Sequence, residues 1–389
     1  MFSKKEIKGL VIIAFLEIIL VAAAFLAGAF SAHLIGIDKD PFPLLSEAVS
    51  LLGQHGLKAI PAGNAMQYGM IRGMLQVYND PYTVFLEPPQ YTLQSNQLAG
   101  KFGGIGVRLE LSTDGKYYLV YPVPDSPAAK AGIQDGDRLV AVENLNIQGD
   151  TPLDTVQAAV RGPVGGKVVL TIARSPNFTP IQVTIIRQEI ALPSVTWNLV
   201  AQDVRVGILQ INVIAATTPD EITKAIKDLQ SRGAAYFILD FRNNGGGLVD
   251  SGVSIANLFL NHGPIMEQQY RDQPVKTYQV EQAGPFTEIP LVLLINHNTA
   301  SAAEIISGAL QAQKRALLIG TPTYGKDSIQ LVYTLMDGSS LHVTSAHWWV
   351  PGLQEGSIEG KGLQPDIVVP DDAAHQTELI NTAIQNLIK

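Results

Sequence analysis

The stretch that most constrains the fold is residues 291–330, where two apolar runs flank a small-residue helix start. Leu291 to Ile295 is an unbroken apolar run, which reads as a strand buried on both faces. After a polar turn comes Thr299-Ala300-Ser301-Ala302-Ala303. Ala302, Ile305, Ile306, Ala309 and Leu310 then recur at helical spacing, so one stripe must face a core. A second apolar strand, Ala316 to Ile319, leads through Gly320 to Lys326. Strands alternating with helices in this way indicate α/β architecture. Ser301 falls where a buried strand turns into a helix, near the positive end of its dipole. Lys326 falls at the mouth of a second strand.

Composition narrows the chemistry. With 389 residues, 46% of them hydrophobic, the chain is long enough for two or three well-cored domains. A net charge of −8, with no basic run outside the extreme N-terminus, disfavours nucleic acid as a partner. The chain has no cysteine, which excludes disulfides, thiolate nucleophiles and cysteine-based zinc sites. Its seven histidines are scattered, without an H-E-x-x-H pair, so neither a metal nor a cofactor is expected.

Read in order, the chain opens with Lys4, Lys5 and Lys8 before an apolar stretch from about Leu10 to Ala32. That length suits a membrane-spanning helix, and the lysines orient its N-terminus toward the cytoplasm. Glu17 interrupts the stretch at a cost of about 3 kcal/mol at mid-bilayer, less near an interface. The small residues Ala27, Ala29, Ser31 and Ala32 also suit a cleaved signal peptide, but the long apolar run favours an uncleaved anchor. The expected division is therefore a signal anchor over 1–33, a helical region over 34–96, a β-rich domain over 97–189 and an α/β core over 190–389. The body of the chain is expected outside a bacterial-type cytoplasmic membrane, with the membrane as a partner through the N-terminal helix. A homo-oligomer is left open.

The β-rich region opens with Gly103-Gly104-Ile105-Gly106 before the strand Val107–Leu111. Asp114-Gly115 is a hairpin signal, Ser126-Pro127 starts a short helix that Gly132 ends, and Thr151-Pro152 starts another running to Val160. Further strands are predicted at Lys167–Ala173 and Gln182–Arg187. In the core, Tyr236–Asp240 reads as a strand running into Phe241-Arg242-Asn243-Asn244-Gly245-Gly246-Gly247.

These blocks resemble the carboxyl-terminal processing peptidases of the S41 family, tail-specific proteases with a Ser-Lys dyad. The family's G-S-A-S-A-S-E-I aligns with Asn298 to Ile305, and its T-F-G-K-G-S-V-Q with Thr323 to Gln330. Asn298, Ala303 and Asp327 depart from the pattern without removing a reactive group. Asn79-Asp80-Pro81-Tyr82-Thr83 resembles the signature that precedes the PDZ domain in this family, and Ser126 to Asp137 resembles a permuted bacterial PDZ core. The resemblance implies an α/β multidomain chain: the transmembrane helix, a small helical region, a PDZ domain with two helices, and a crotonase-like protease core.

It also implies roles. A serine hydroxyl is a poor nucleophile without a base. Ser301 would be the nucleophile, Lys326 the base once burial lowers its pKa, and Gln330 the group orienting the amine. Backbone N–H groups of Ala302 and of Gly246 or Gly247 would form the oxyanion hole. Gly103, Gly104, Ile105, Gly106 and Val107 would hold the carboxylate and extended chain of a protein or peptide C-terminus. Arg161 is a candidate relay from the PDZ domain to the protease core. Taken singly, a serine at a helix start is usually a cap and a lysine at a strand end is usually solvated. His297 could suggest a Ser-His pair but more naturally lies in the loop. The competing functions are an inactive membrane-tethered PDZ scaffold and a crotonase-like acyl-CoA enzyme.

Overall fold

The computed structural model describes residues 42–353 and 358–388. The stretch expected to span a membrane lies outside those residues. Among the described residues, no helix is long and apolar enough to cross a membrane. The longest run 14 residues, short of the ~20 that a spanning helix needs. This corrects two expectations: a transmembrane helix as part of the fold, and a single-pass anchor that places the catalytic region outside a membrane.

The described residues fall into two compact units that divide between Met70 and Ile71. Helices α1 (Pro43–His55) and α2 (Ala65–Tyr78) contain no buried residue. Asn79, at φ 57°, turns the chain out of α2 just before Pro81. The short strand β1 (Val84–Leu86) follows, then α3 (Pro88–Ala99), which Gly100 ends in the left-handed conformation.

The β-rich region comprises β2 (Lys101–Gly104), β3 (Val107–Leu111), β4 (Tyr118–Pro122), α4 (Pro127–Lys130) and β5 (Asp137–Val142). It continues through β6 (Leu145–Asn146), α5 (Leu153–Val160), β7 (Lys167–Ala173), β8 (Pro180–Ile186) and β9 (Gln188–Ala191). The sheet runs β3-β4-β5-β7-β8, with β6 beside β5. Ile105, Val120, Leu139, Val156, Leu170 and Ile172 form its core. Ser126 Oγ caps α4 by accepting the Ala129 N–H, and Arg174 grips the buried Asp137 through two 2.8 Å hydrogen bonds. Strands β2 and β9 stand apart as a two-stranded ribbon at the two ends of this region.

The α/β core opens with β10 (Val195–Val200), β11 (Asp203–Ile211), α6 (Thr218–Ser231), β12 (Tyr236–Asp240) and α7 (Val249–Phe259). Then come β13 (Pro264–Tyr270), β14 (Lys276–Gln279), β15 (Leu291–Ile295), α8 (Ala302–Ala312) and β16 (Leu317–Gly320). It closes with β17 (Ser328–Thr334), β18 (Ser340–Trp349), β19 (Ile367–Val368) and α9 (Gln376–Leu387). The main sheet runs β10-β11-β12-β15-β16-β19 and is parallel from β11 onward. Side chains alternate across it. Phe237, Leu239, Leu293 and Ile295 join the core shared with α6, α7 and α8, whereas Ile238, Val292 and Leu294 pack with Leu379 and Ala383 of α9. Helices therefore cover both faces, which is why these strands read as unbroken apolar runs. A second, antiparallel sheet runs β1-β18-β13-β14, with β17 also on β18. It pairs Val84 to Leu86 with Ser340 to His342 and so draws the turn before β1 toward the lysine strand.

Candidate active site

The C-terminal edge of the parallel sheet carries two loops. One leaves β12 as the glycine loop, and the other leaves β15 and enters α8. Side chains lace them together. Thr299 Oγ1 donates to the Phe241 carbonyl at 2.9 Å, Asn296 Oδ1 accepts the Asn243 N–H at 3.0 Å, and the Ala300 N–H reaches the Asn244 carbonyl at 2.9 Å. Asn244 Nδ2 in turn donates to the Ile211 carbonyl at 2.7 Å. At the flank, Arg242 forks onto Asp240 at 2.8 and 2.6 Å and reaches Asp371 at 3.1 Å.

Ser301 sits at the N-cap of α8 with φ 55° and ψ −120°, a conformation that side-chain-bearing residues rarely adopt. The glycine loop lies directly on it: a Cβ at Gly246 would stand 2.8 Å from the Ala300 carbonyl oxygen and 2.9 Å from Ser301 Cβ. The Gly246 N–H is committed to Asn244 Oδ1 at 2.8 Å. Ala302 occupies the first position of α8, where a helix leaves N–H groups without internal partners.

Glu304 joins the serine and lysine segments. It is fully buried, and its carboxylate accepts from the Ser301 N–H (2.8 Å), Thr323 Oγ1 (2.6 Å), the Gly325 N–H (2.7 Å) and the Lys326 N–H (3.0 Å). Thr323 Oγ1 also accepts the Leu363 N–H at 2.6 Å, which leaves its own proton for Glu304. Burial pushes the Glu304 carboxyl above its ordinary value, and these four donors pull it back. Sequence reasoning did not single out Glu304, although its place three residues after Ser301 is a capping-box position that could have revealed it.

Lys326 is half-buried, and its Nζ donates to Gln330 Oε1 at 2.7 Å. Gln330 Nε2 donates to Ser328 Oγ at 3.0 Å, so the amide oxygen faces the amine. Burial holds the lysine below its ordinary pKa, while Glu304 and then Asp80 pull it up. Among the described residues, Nζ makes no hydrogen bond to the Ser301 hydroxyl. His297 is exposed, with its ring 5.8 Å from that of Tyr324. Asp327, His347 and Glu359 bring ligand-type atoms within 4.8 Å of one another, and His347 Nδ1 lies 3.1 Å from Asp327 Oδ1.

The β-rich region presents a groove of about 350 Å³ lined in part by Ile105, Gly106, Val107, Leu109, Val123 and Val160. Gly103 and Gly104 do not line it; they belong to β2, and Gly103 bridges to Gly162. Arg161 and Phe102 also line the groove, with the guanidinium 4.1 Å from the centre of the ring.

Comparison with known proteins decides the family. Residues 205–369 match Peptidase family S41, and residues 119–174 match a PDZ domain. A carboxyl-terminal-processing protease of Picosynechococcus sp. is 35% identical over 307 residues, covering 78% of this chain and 73% of the relative. This chain belongs to the carboxyl-terminal-processing proteases of peptidase family S41. It is a serine-type peptidase carrying a PDZ domain. A carboxyl-terminal-processing protease of Synechocystis sp. is 34% identical over 321 residues, covering 81% of this chain and 74% of the relative. Among solved structures, the photosystem II D1 C-terminal processing protease is similar at 29% identity and TM-score 0.46, covering 86% of this chain and 88% of that one.

Proposed function

We propose that this peptidase cleaves near protein C-termini with Ser301 as nucleophile and Lys326 as general base. The neutral amine takes the Ser301 proton as Oγ attacks the scissile carbonyl; the resulting ammonium then protonates the leaving amine. Water resolves the acyl-enzyme by the same exchange. Gln330 orients the amine without adding charge. The Ala302 N–H and a glycine-loop N–H hold the oxyanion, and Gly247 is the better second donor because the Gly246 N–H is already spent on Asn244. The PDZ groove, from Ile105 to Val107, binds the apolar end of the substrate. The boundaries 34–96, 97–189 and 190–389 are part of this reading.

The observation that carries it is Glu304, whose one carboxylate fixes both the Ser301 and the Lys326 backbone. The test is turnover of a labelled peptide with an apolar C-terminus. Ser301→Ala and Lys326→Ala should each abolish hydrolysis while leaving a folded protein, since nucleophile and base act as one unit. Near-wild-type turnover by Lys326→Ala would rule out the dyad.

A further inference from the structure

The turn between α2 and β1 has entered the chemistry so far only through the charge of Asp80, and it lies outside residues 119–174 and 205–369. It is nevertheless built to a definite shape. Asp80 accepts the Tyr82 N–H at 3.0 Å and Thr83 Oγ1 at 2.6 Å, and Thr83 Oγ1 accepts the Thr344 N–H of β18 at 3.1 Å. With β1 paired to β18, this stapling delivers the Tyr82 ring to the lysine, 5.0 Å from Nζ to the ring centroid. A cation within about 6 Å of an aromatic face is attracted by the ring's quadrupole. Burial, and then a hydrogen bond with Tyr324, push the Tyr82 phenol up to about 12, so it stays neutral across the working range of a peptidase.

We propose that Tyr82 is a positioning residue for Lys326, seating the ammonium on its ring face and keeping the half-buried amine basic enough to take the serine proton. The proposal rests on the reading of Lys326 as the base. An amine that burial alone controlled would be a weak base; the ring offsets part of that loss without supplying a counter-charge that would lock the proton on. Glu304 from α8, Asp80 from the same turn and His342 from β18 also act on the amine electrostatically, while Asp327 and Glu359 act on Tyr82. All of these groups remain in place as residues when only the Tyr82 side chain is changed.

The experiment compares Tyr82→Leu, which keeps apolar bulk but has no quadrupole, with Tyr82→Phe, which keeps the ring. Tyr82→Met supplies a second ring-less side chain should the leucine variant fold poorly by circular dichroism. Two readouts are taken on the full chain: the acid limb of kcat/KM, and the Nζ titration of Lys326 by lysine-selective 15N NMR, assigned with Lys326→Ala. The ring-less variants should lower both midpoints by about half to one pH unit, and Tyr82→Phe should leave both at the wild-type position. An Nζ midpoint that stays put or rises in the ring-less variants overturns the proposal, as does an equal shift in Tyr82→Phe. An Nζ midpoint that falls while the kinetic limb stays fixed instead removes Lys326 as the base and leaves the stacking intact.

Discussion

At Lys326 two opposing effects meet, and their balance sets the pH at which the amine is free. Burial disfavours the ammonium; Glu304 and Asp80 favour it, and burial is the larger influence. The proposed base works only when unprotonated, so kcat/KM should rise with pH through a midpoint below that of an ordinary lysine, near 10.4. Gln330→Glu places a charge where a neutral oxygen now accepts from Nζ at 2.7 Å. That should raise the midpoint by about one to three units and cut activity near neutrality by at least about tenfold, as a pH–rate profile would record. A midpoint that fails to rise would show that Gln330 does not face the working amine. Ser301 and Lys326 stand out as candidates in the sequence because each lies in a local block of characteristic residues. Tyr82 and Glu304 stand in such blocks too, and a capping-box spacing marks Glu304, but what they touch depends on which distant segments meet: β1 with β18, and α8 with the loop before β17.

Between elements, the critical contact is the glycine loop against the start of α8. Gly246 holds φ 98° with no room for a Cβ, whereas Gly245 next to it is exposed and has nothing within 4 Å of that position. Gly246→Ala should push the loop off Ser301 and lower kcat by about 100-fold, the scale of a 1 Å misplacement. Gly245→Ala should change stability by no more than ~0.5 kcal/mol and leave kcat near wild type. Equal effects in the two variants, measured by turnover and thermal melting, would contradict the close-approach account. Reading elements from the sequence worked where the pattern was unmixed: Val107–Leu111, Lys167–Ala173 and Tyr236–Asp240 are strands with the bounds expected. It passed over β18, in which Ser340 and His342 are buried among apolar neighbours and break the two-residue alternation. It also passed over α3, whose polar sequence has no buried side chain to mark a face.

Across the whole molecule, the proposed function gives two tasks to separate regions: the PDZ groove holds a chain end, and the sheet edge cuts. If the groove selects by the terminal carboxylate, a C-terminally amidated peptide should show a KM raised by at least about tenfold, from the loss of a charged hydrogen-bonded group, with kcat changed less. Equal KM values for the two peptides would mean that the groove reads side chains alone. The way the PDZ region is attached has its own consequence. The chain enters through β2 and leaves through β9, and those strands pair with each other, the Leu192 N–H reaching the Gly100 carbonyl at 2.8 Å. A segment whose two ends meet places no topological demand on its host. It can be excised, exchanged or lengthened while the protease core closes across the same short gap, with little added loop-closure entropy. Under the proposed function, exchanging this cassette should change tail preference while the sheet edge that carries Ser301 keeps its own connections.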